Sequence, residues 1–212
     1  MRTVSPGWIP AVSSRDERIG VLGGTFDPIH VGHLAAARAA MECAQLDRII
    51  FVPTGRPPHR PPTATEPGHR LEMTRLATST EKRFEVSDVE VKRPGRSFTS
   101  DTLRELHAQH PVDQLFLILG WDAARLFKTW HEPDQVRQLA TITVVARPGS
   151  RSPQQSDLDA AGLDGKGVIL CLVGTPDVSA SEIRQDIKEG RSIEGKVPPS
   201  VERYIAAHRL YS

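Results

Sequence analysis

Short runs of almost unbroken apolar residues recur along this chain, and segments rich in helix formers separate them. The runs are "RIGVLGG" (Arg18–Gly24), "DRIIFVPT" (Asp47–Thr54), "QLFLILG" (Gln114–Gly120), "ATITVVARPG" (Ala140–Gly149) and "VILCLV" (Val168–Val173). A strand that is apolar on both faces must be covered on both faces, which points to an open parallel sheet with helices on each side. The first strand, helix and strand fit within about 35 residues, the length of a right-handed crossover unit. The reading is therefore an α/β fold: a doubly wound parallel sheet with helices on both faces and a small C-terminal helical segment from "SASEIRQDIKEG" and "PPSVERYIAAHRLY". Sheets of this kind bind ligands beyond the carboxyl ends of their strands.

The remaining segments sort by period and punctuation. Residues 1–18 have no period and read as a tail, leaving 19–212 as one domain. "HLAAARAAMECAQL" (His33–Leu46) keeps an apolar face through Leu34, Ala37, Met41 and Ala44 and predicts a helix. "RLEMTRLATSTE" (Arg70–Glu81) and "SFTSDTLRELHAQH" (Ser97–His110) predict helices, and the alternation of "FEVSDVEVKR" (Phe84–Arg93) predicts a strand. Gly55–Arg70 holds five prolines, three arginines and two histidines against one glutamate, which makes it a basic loop. Such a loop suits a lid over phosphates, and equally a solvated proline-rich connection. Ser150–Gly167 is polar and uneven and reads as a surface loop.

Bulk composition narrows the function classes. The chain has 212 residues, 38% apolar and 25% charged, with a net charge of +1. That balance suits a globular protein and gives no whole-molecule argument for binding nucleic acid or an anionic membrane. No apolar run approaches the roughly 18–20 residues that span a bilayer. Cys43 and Cys171, far apart in sequence, read as two small buried hydrophobes in a reducing cytosol.

The chemistry concentrates in "GGTFDPIHVGH" (Gly23–His33), at the carboxyl end of the first strand. Gly23 and Gly24 lack Cβ atoms, so their backbone can approach a phosphate closely. Asp27 and Pro28 read as a helix entry, which sets His30 and His33 at i and i+3 on one face at a helix N-terminus. Free N–H groups and the helix dipole favour an anion there. Two imidazoles can add hydrogen bonds to phosphoryl oxygens. A turn with a capping histidine, or a metal pair, would use the same residues. No Cys or Glu of suitable spacing completes a metal set, although Asp27 is near. Neither the G-x-G-x-x-G fingerprint nor the G-x-x-x-x-G-K-[ST] loop is present.

This stretch resembles the G-G-T-F-D-P-x-H-x-G-H signature of the H-x-G-H nucleotidyltransferase superfamily. Further segments resemble bacterial nicotinate-mononucleotide adenylyltransferases: "VPTGRPPHR" (Val52–Arg60), "HRLEMTRLA" (His69–Ala77), "RPGRSFTSDTL" (Arg93–Leu103), "LILGWDAARLFKTWHEPDQV" (Leu117–Val136), "VVARPG" and "VSASEIR" (Val178–Arg184). The resemblance implies a Rossmann-like fold and a cytoplasmic enzyme of NAD biosynthesis. It would move AMP from ATP to nicotinate mononucleotide, with Mg²⁺ arriving on the ATP and no dedicated metal cage. It assigns His30, His33 and Arg184 to catalysis. It gives Gly23, Gly24, Thr25, Phe26, Gly120, Asp122, Val178 and Ser181 to ATP together with those three, and Asp27, His59, Arg60, Thr99, Trp130 and His131 to the mononucleotide. Self-association is left open.

Residue chemistry is compatible with these assignments and with plainer ones. An indole offers a flat face to a pyridine ring, yet Trp130 fits a core position as well. Thr99 can be a cap, Asp122 a solvated loop acid, and Arg184 a solvated arginine after an N-cap. Ala180 and Ser181 stand where the family pattern has Ser and Thr, and Arg60 stands where it has lysine, a change that keeps charge but not geometry. The rivals are a pantetheine-phosphate adenylyltransferase, a cytidylyltransferase, or a non-catalytic nucleotide-binding protein of the same fold.

Overall fold

The computed structural model describes residues 16–57, 63–146, 152–164 and 167–212. Among them, β1 (Arg18–Gly24), β2 (Arg48–Pro53), β3 (Phe84–Val86), β4 (Gln114–Gly120), β5 (Thr141–Ala146) and β6 (Val168–Leu172) form one parallel sheet in the order β3-β2-β1-β4-β5-β6. The helices in chain order are α1 (Val31–Cys43), α2 (Pro67–Thr78), α3 (Val89–Lys92), α4 (Thr99–Gln109), α5 (Trp121–Ala124), α6 (Pro133–Leu139), α7 (Gln155–Ala160), α8 (Ala180–Lys188) and α9 (Pro199–His208).

The unbroken apolar runs are explained by two cores, one on each face of the sheet. Leu22, Ile49, Phe51, Phe116 and Ile118 meet α1, α2, α8 and α9 through Leu34, Met41, Met73, Ile183 and Ile205. Their strand neighbours Val21, Ile50, Val52, Leu115 and Leu117 meet α4, α6 and α7 through Leu103, Leu106, Val136 and Leu158. Successive strand residues point to opposite faces, so every strand except the short β3, whose Phe84 and Val86 meet only the first core, feeds both cores. Each such side chain contributes about 1.5–3 kcal/mol when fully buried.

Strand order reverses between β1 and β4. Those two strands pair only from Arg18–Gln114 to Val21–Leu117, whereas β1 stays paired with β2 out to Gly24–Pro53. The carboxyl ends of β1 and β4 therefore part, and the crevice between them is where a doubly wound sheet binds its ligand.

Four local expectations need correction. Helix α1 starts at Val31 rather than near Pro28; His30 is its N-cap, with extended backbone at φ −141°. The predicted strand Phe84–Arg93 stops at Val86, because among the described residues β3 is an edge strand paired with β2 alone, and the chain then coils into α3. The polar stretch after Ser150 is not only loop. Gln154 caps α7 by donating its N–H to Asp157 (2.8 Å), and Leu158, Ala161 and Leu163 are buried in the second core. Finally, Cys43 and Cys171 are not two separate hydrophobes: they form a disulfide with Cα atoms 6.0 Å apart. Helix α1 crosses the sheet over β5 and β6, which brings its last residue to β6 despite 128 residues of separation. Of the tail, residues 1–15 lie outside the described residues, and Arg18 already belongs to β1.

Candidate active site

The turn after β1 is built by sterics. A Cβ on Gly24 would stand 2.8 Å from the Phe26 ring, which folds back over it. Phe26 takes a left-handed backbone (φ 50°) and is 2% exposed, so it offers the site its backbone and gives its ring to the core. Beside Gly23 a Cβ would meet nothing within 4 Å, which marks the open side of the turn.

At the start of α1 the two imidazoles stack, with centroids 3.7 Å apart and planes 29° from parallel. His30 N–H donates to His33 Nδ1 (3.2 Å), and His30 O accepts from the N–H groups of His33 and Leu34. Because His33 Nδ1 accepts, the neutral ring carries its proton on Nε2 and presents a donor on its other edge. The Phe26 ring meets His33 edge-on at 5.0 Å. Gly32 has to be small, since a Cβ there would sit 3.0 Å from His30 Nδ1.

Asp27 is 4% exposed and fully engaged. Its Oδ1 accepts from Thr65 and Tyr211 hydroxyls, both at 2.7 Å, and its Oδ2 accepts from Ala64 N–H at 2.7 Å. Its backbone carbonyl accepts from Arg184 Nη1 at 2.7 Å. Arg184 projects from α8, whose N-cap Ser179 accepts from Glu182 N–H (3.2 Å) and lies 3.2 Å from the exposed Ser181 hydroxyl. Val178 precedes that cap and is half-buried. The structure thus brings Thr25, Phe26, Asp27, His30, His33 and Arg184 together.

Across the crevice, Gly120 ends β4 and caps the short helix α5, with open space around its Cα. The Asp122 side chain is 77% exposed and its nearest cation is Arg125 at 3.9 Å, so it is available to a ligand. Trp130 is half-buried with its ring 5.5 Å from Phe127, between the two positions its composition allowed. His131 is exposed and lies over Phe98, centroids 4.3 Å apart, next to Thr99 at the start of α4. His59 and Arg60 lie outside the described residues.

Two buried charges lie behind these groups and carried no assignment from the sequence. Arg70 is 0% exposed and donates to Thr25 O (2.7 Å), Gly55 O (3.1 Å) and Thr65 O (3.4 Å). Burial pulls its pKa down, and Asp27 opposes that pull. The signal was available: Arg70 shares a helix stripe with Met73, Thr74 and Ala77 at i+3, i+4 and i+7, where an apolar residue was due.

Glu90, on α3, is 6% exposed and accepts from the Thr102 hydroxyl at 2.7 Å. Burial raises its carboxyl pKa above 4.5, opposed by that hydrogen bond. A raised carboxylate pKa means the fold favours the protonated form, so this contribution is full below 4.5 and is lost as pH rises through the folded value. Glu90→Gln keeps the acceptor and removes the titration. Chemical denaturation from pH about 4.5 to about 7 should show the unmodified protein losing stability relative to the variant; parallel curves would put the slope elsewhere.

Comparisons with known proteins give the family. Residues 21–186 match the cytidylyltransferase-like family model. A Thermus thermophilus protein named probable nicotinate-nucleotide adenylyltransferase is 47% identical over 194 residues, which covers 92% of this chain and 99% of that one. A protein of the same name from Thermomicrobium roseum is 40% identical over 195 residues, covering 92% and 91%. The chain belongs to the nicotinate-nucleotide adenylyltransferase family. At the level of fold, the Plasmodium falciparum nicotinic acid mononucleotide adenylyltransferase complexed with NaAD superposes with a TM-score of 0.76 at 20% identity, over 92% of this chain and 97% of that one. As an adenylyltransferase of this family, the protein has its crevice where the sheet's strand order reverses.

Proposed function

We propose that this adenylyltransferase joins ATP and nicotinate mononucleotide into nicotinate adenine dinucleotide, releasing pyrophosphate, as a step of NAD biosynthesis. The observation that carries the reading is the stacked His30–His33 pair at the head of α1, beside the parting of β1 and β4. A 5′-phosphate oxygen of the mononucleotide attacks the α-phosphorus of ATP in line, and the bond to pyrophosphate breaks. No covalent enzyme intermediate is needed, because holding both reactants aligned supplies about 7–11 kcal/mol.

His30, His33, Arg184 and the backbone from Gly23 to Phe26 stabilise charge on the phosphoryl oxygens as it develops. Gly120, Asp122, Val178 and Ser181 seat the adenosine and the outer phosphates. Thr99, Trp130 and His131 hold the pyridine ring and its carboxylate, and His59 and Arg60 hold the mononucleotide phosphate. Asp27 acts at one remove, since both of its carboxylate oxygens are already bonded within the protein. Mg²⁺ arrives with ATP as part of the substrate. Phosphate oxygens and water would hold the ion. Residues 19–212 work as one catalytic domain in the cytoplasm. Among the described residues no helix is long and apolar enough to cross a membrane.

Pyrophosphate release from ATP with a panel of acceptors tests the reading. Nicotinate mononucleotide should support the fastest turnover; preference for pantetheine phosphate, or for CTP as donor, would reassign the protein within the superfamily. Within that assay Trp130→Ala should raise KM for the mononucleotide by about tenfold, the stacking loss of roughly 1 kcal/mol plus lost area, while KM for ATP stays near its starting value. Equal rises in both constants would make Trp130 a packing residue.

A further inference from the structure

We infer that Tyr211 is a positioning residue for the adenylyl transfer, acting through Asp27 on the Arg184 guanidinium. The inference rests on the reading above for its reaction, and on separate geometry for its residue. After α9 the chain reverses sharply: Arg209 has φ 50°, Leu210 N–H bonds back to Ile205 O at 3.1 Å, and Tyr211 has φ 68°. Two residues with Cβ atoms in the left-handed region within three positions are disfavoured, and such strain persists only where the surroundings enforce it. The reversal packs the Tyr211 ring against the first core and delivers its hydroxyl to Asp27 Oδ1 at 2.7 Å, across 184 residues of sequence.

Docking of α9 does not need that hydroxyl. Val201 and Ile205 are 0% and 4% exposed, Ser200 donates to Leu76 O at 3.1 Å, and Tyr204 bonds His69 at 2.9 Å. What the hydroxyl touches instead is the residue whose peptide orients Arg184. Asp27 is held from behind by Tyr211, Thr65 and Ala64, and its carbonyl in front accepts from Arg184 Nη1. His30 follows three residues later. Burial, and then the Asp27 carboxylate, push the Tyr211 phenol well above its ordinary pKa, so it remains a donor at every working pH. Alignment of reacting groups is steeply sensitive to small displacements, which is how a hydrogen bond behind the site reaches the rate.

Tyr211→Phe removes one oxygen and leaves the ring in place. Turnover should fall about tenfold and KM for ATP rise about threefold, while KM for the mononucleotide stays within about twofold. In an Arg184→Ala background the same change should add no further loss, because the residue it acts through is gone. Tyr204→Phe, on α9 itself and bonded to His69 rather than Asp27, should leave all three constants unchanged. A Tyr211→Phe protein with a lower melting temperature and unaltered kinetics, or full additivity with Arg184→Ala, would overturn the inference. Pyrophosphate binding measured by calorimetry, expected about threefold weaker in Tyr211→Phe, needs no acceptor. It therefore reads Tyr211 even where wild-type turnover shows that the acceptor was misassigned.

Discussion

His33→Ala should lower turnover at least about a hundredfold while the protein stays folded, the loss typical of one preorganised donor to a developing charge. The two histidines are unequal subjects for this test. His30 is 3% exposed, caps α1 and stacks on its neighbour, so its removal would mix folding with chemistry. His33 is half-exposed, and its Nδ1 caps the His30 N–H. Loss of such a cap costs about 1 kcal/mol, against the roughly 5–15 kcal/mol that holds a typical domain together. Pyrophosphate release and a melting curve on the same preparation separate the two effects, and turnover within about threefold of the unmodified enzyme would remove His33 from the mechanism.

The parts of this molecule that were legible in the sequence are those where one physical cause dominates. Strands buried on both faces read as apolar runs, and β1 and β4 carry the bounds the runs suggested, Arg18–Gly24 and Gln114–Gly120. The turn after β1 was legible because two glycines, a strand end and two histidines crowd into eleven residues. Competing causes hid the rest. Beyond Val86 the alternation of Val89, Glu90 and Val91 looks like strand, but among the described residues no further strand flanks that edge, and Glu90 finds Thr102 instead. Within the polar stretch after Ser150, Leu158, Ala161 and Leu163 gave the apolar hint of α7. The disulfide and the Tyr211–Asp27 bond join positions 128 and 184 residues apart, and no local pattern reports on distances of that kind. Trp130 stayed ambiguous because it is physically both things: part of its surface packs beside Phe127 and part stays available.

The largest effect on stability is expected at Arg70. Its guanidinium ties the turn after β1 to both ends of the basic loop, through the carbonyls of Thr25, Gly55 and Thr65. Arg70→Met keeps the length and apolar stem but takes the donor from the Thr25 and Gly55 carbonyls, Thr65 O keeping the Thr63 hydroxyl, and leaves Asp27 without its buried counter-charge. Each unsatisfied buried acceptor costs about 1–3 kcal/mol. The sum is too large, because the variant also escapes the desolvation that lowers the Arg70 pKa. A net loss of about 3–5 kcal/mol follows, the range measured when one member of a buried ionic network is removed. At about 2–4 °C per kcal/mol for a chain of this size, melting should fall by on the order of 10 °C. Arg70→Lys separates charge from geometry: it restores the counter-charge, but one ammonium cannot reach three carbonyls in a fork, so it should recover only part of the loss. Thermal unfolding of the three proteins side by side decides the matter. If Arg70→Met melts within about 2 °C of the unmodified protein, the clamp contributes nothing that water cannot replace. If Arg70→Lys recovers everything, the positive charge alone holds the turn after β1 against the loop.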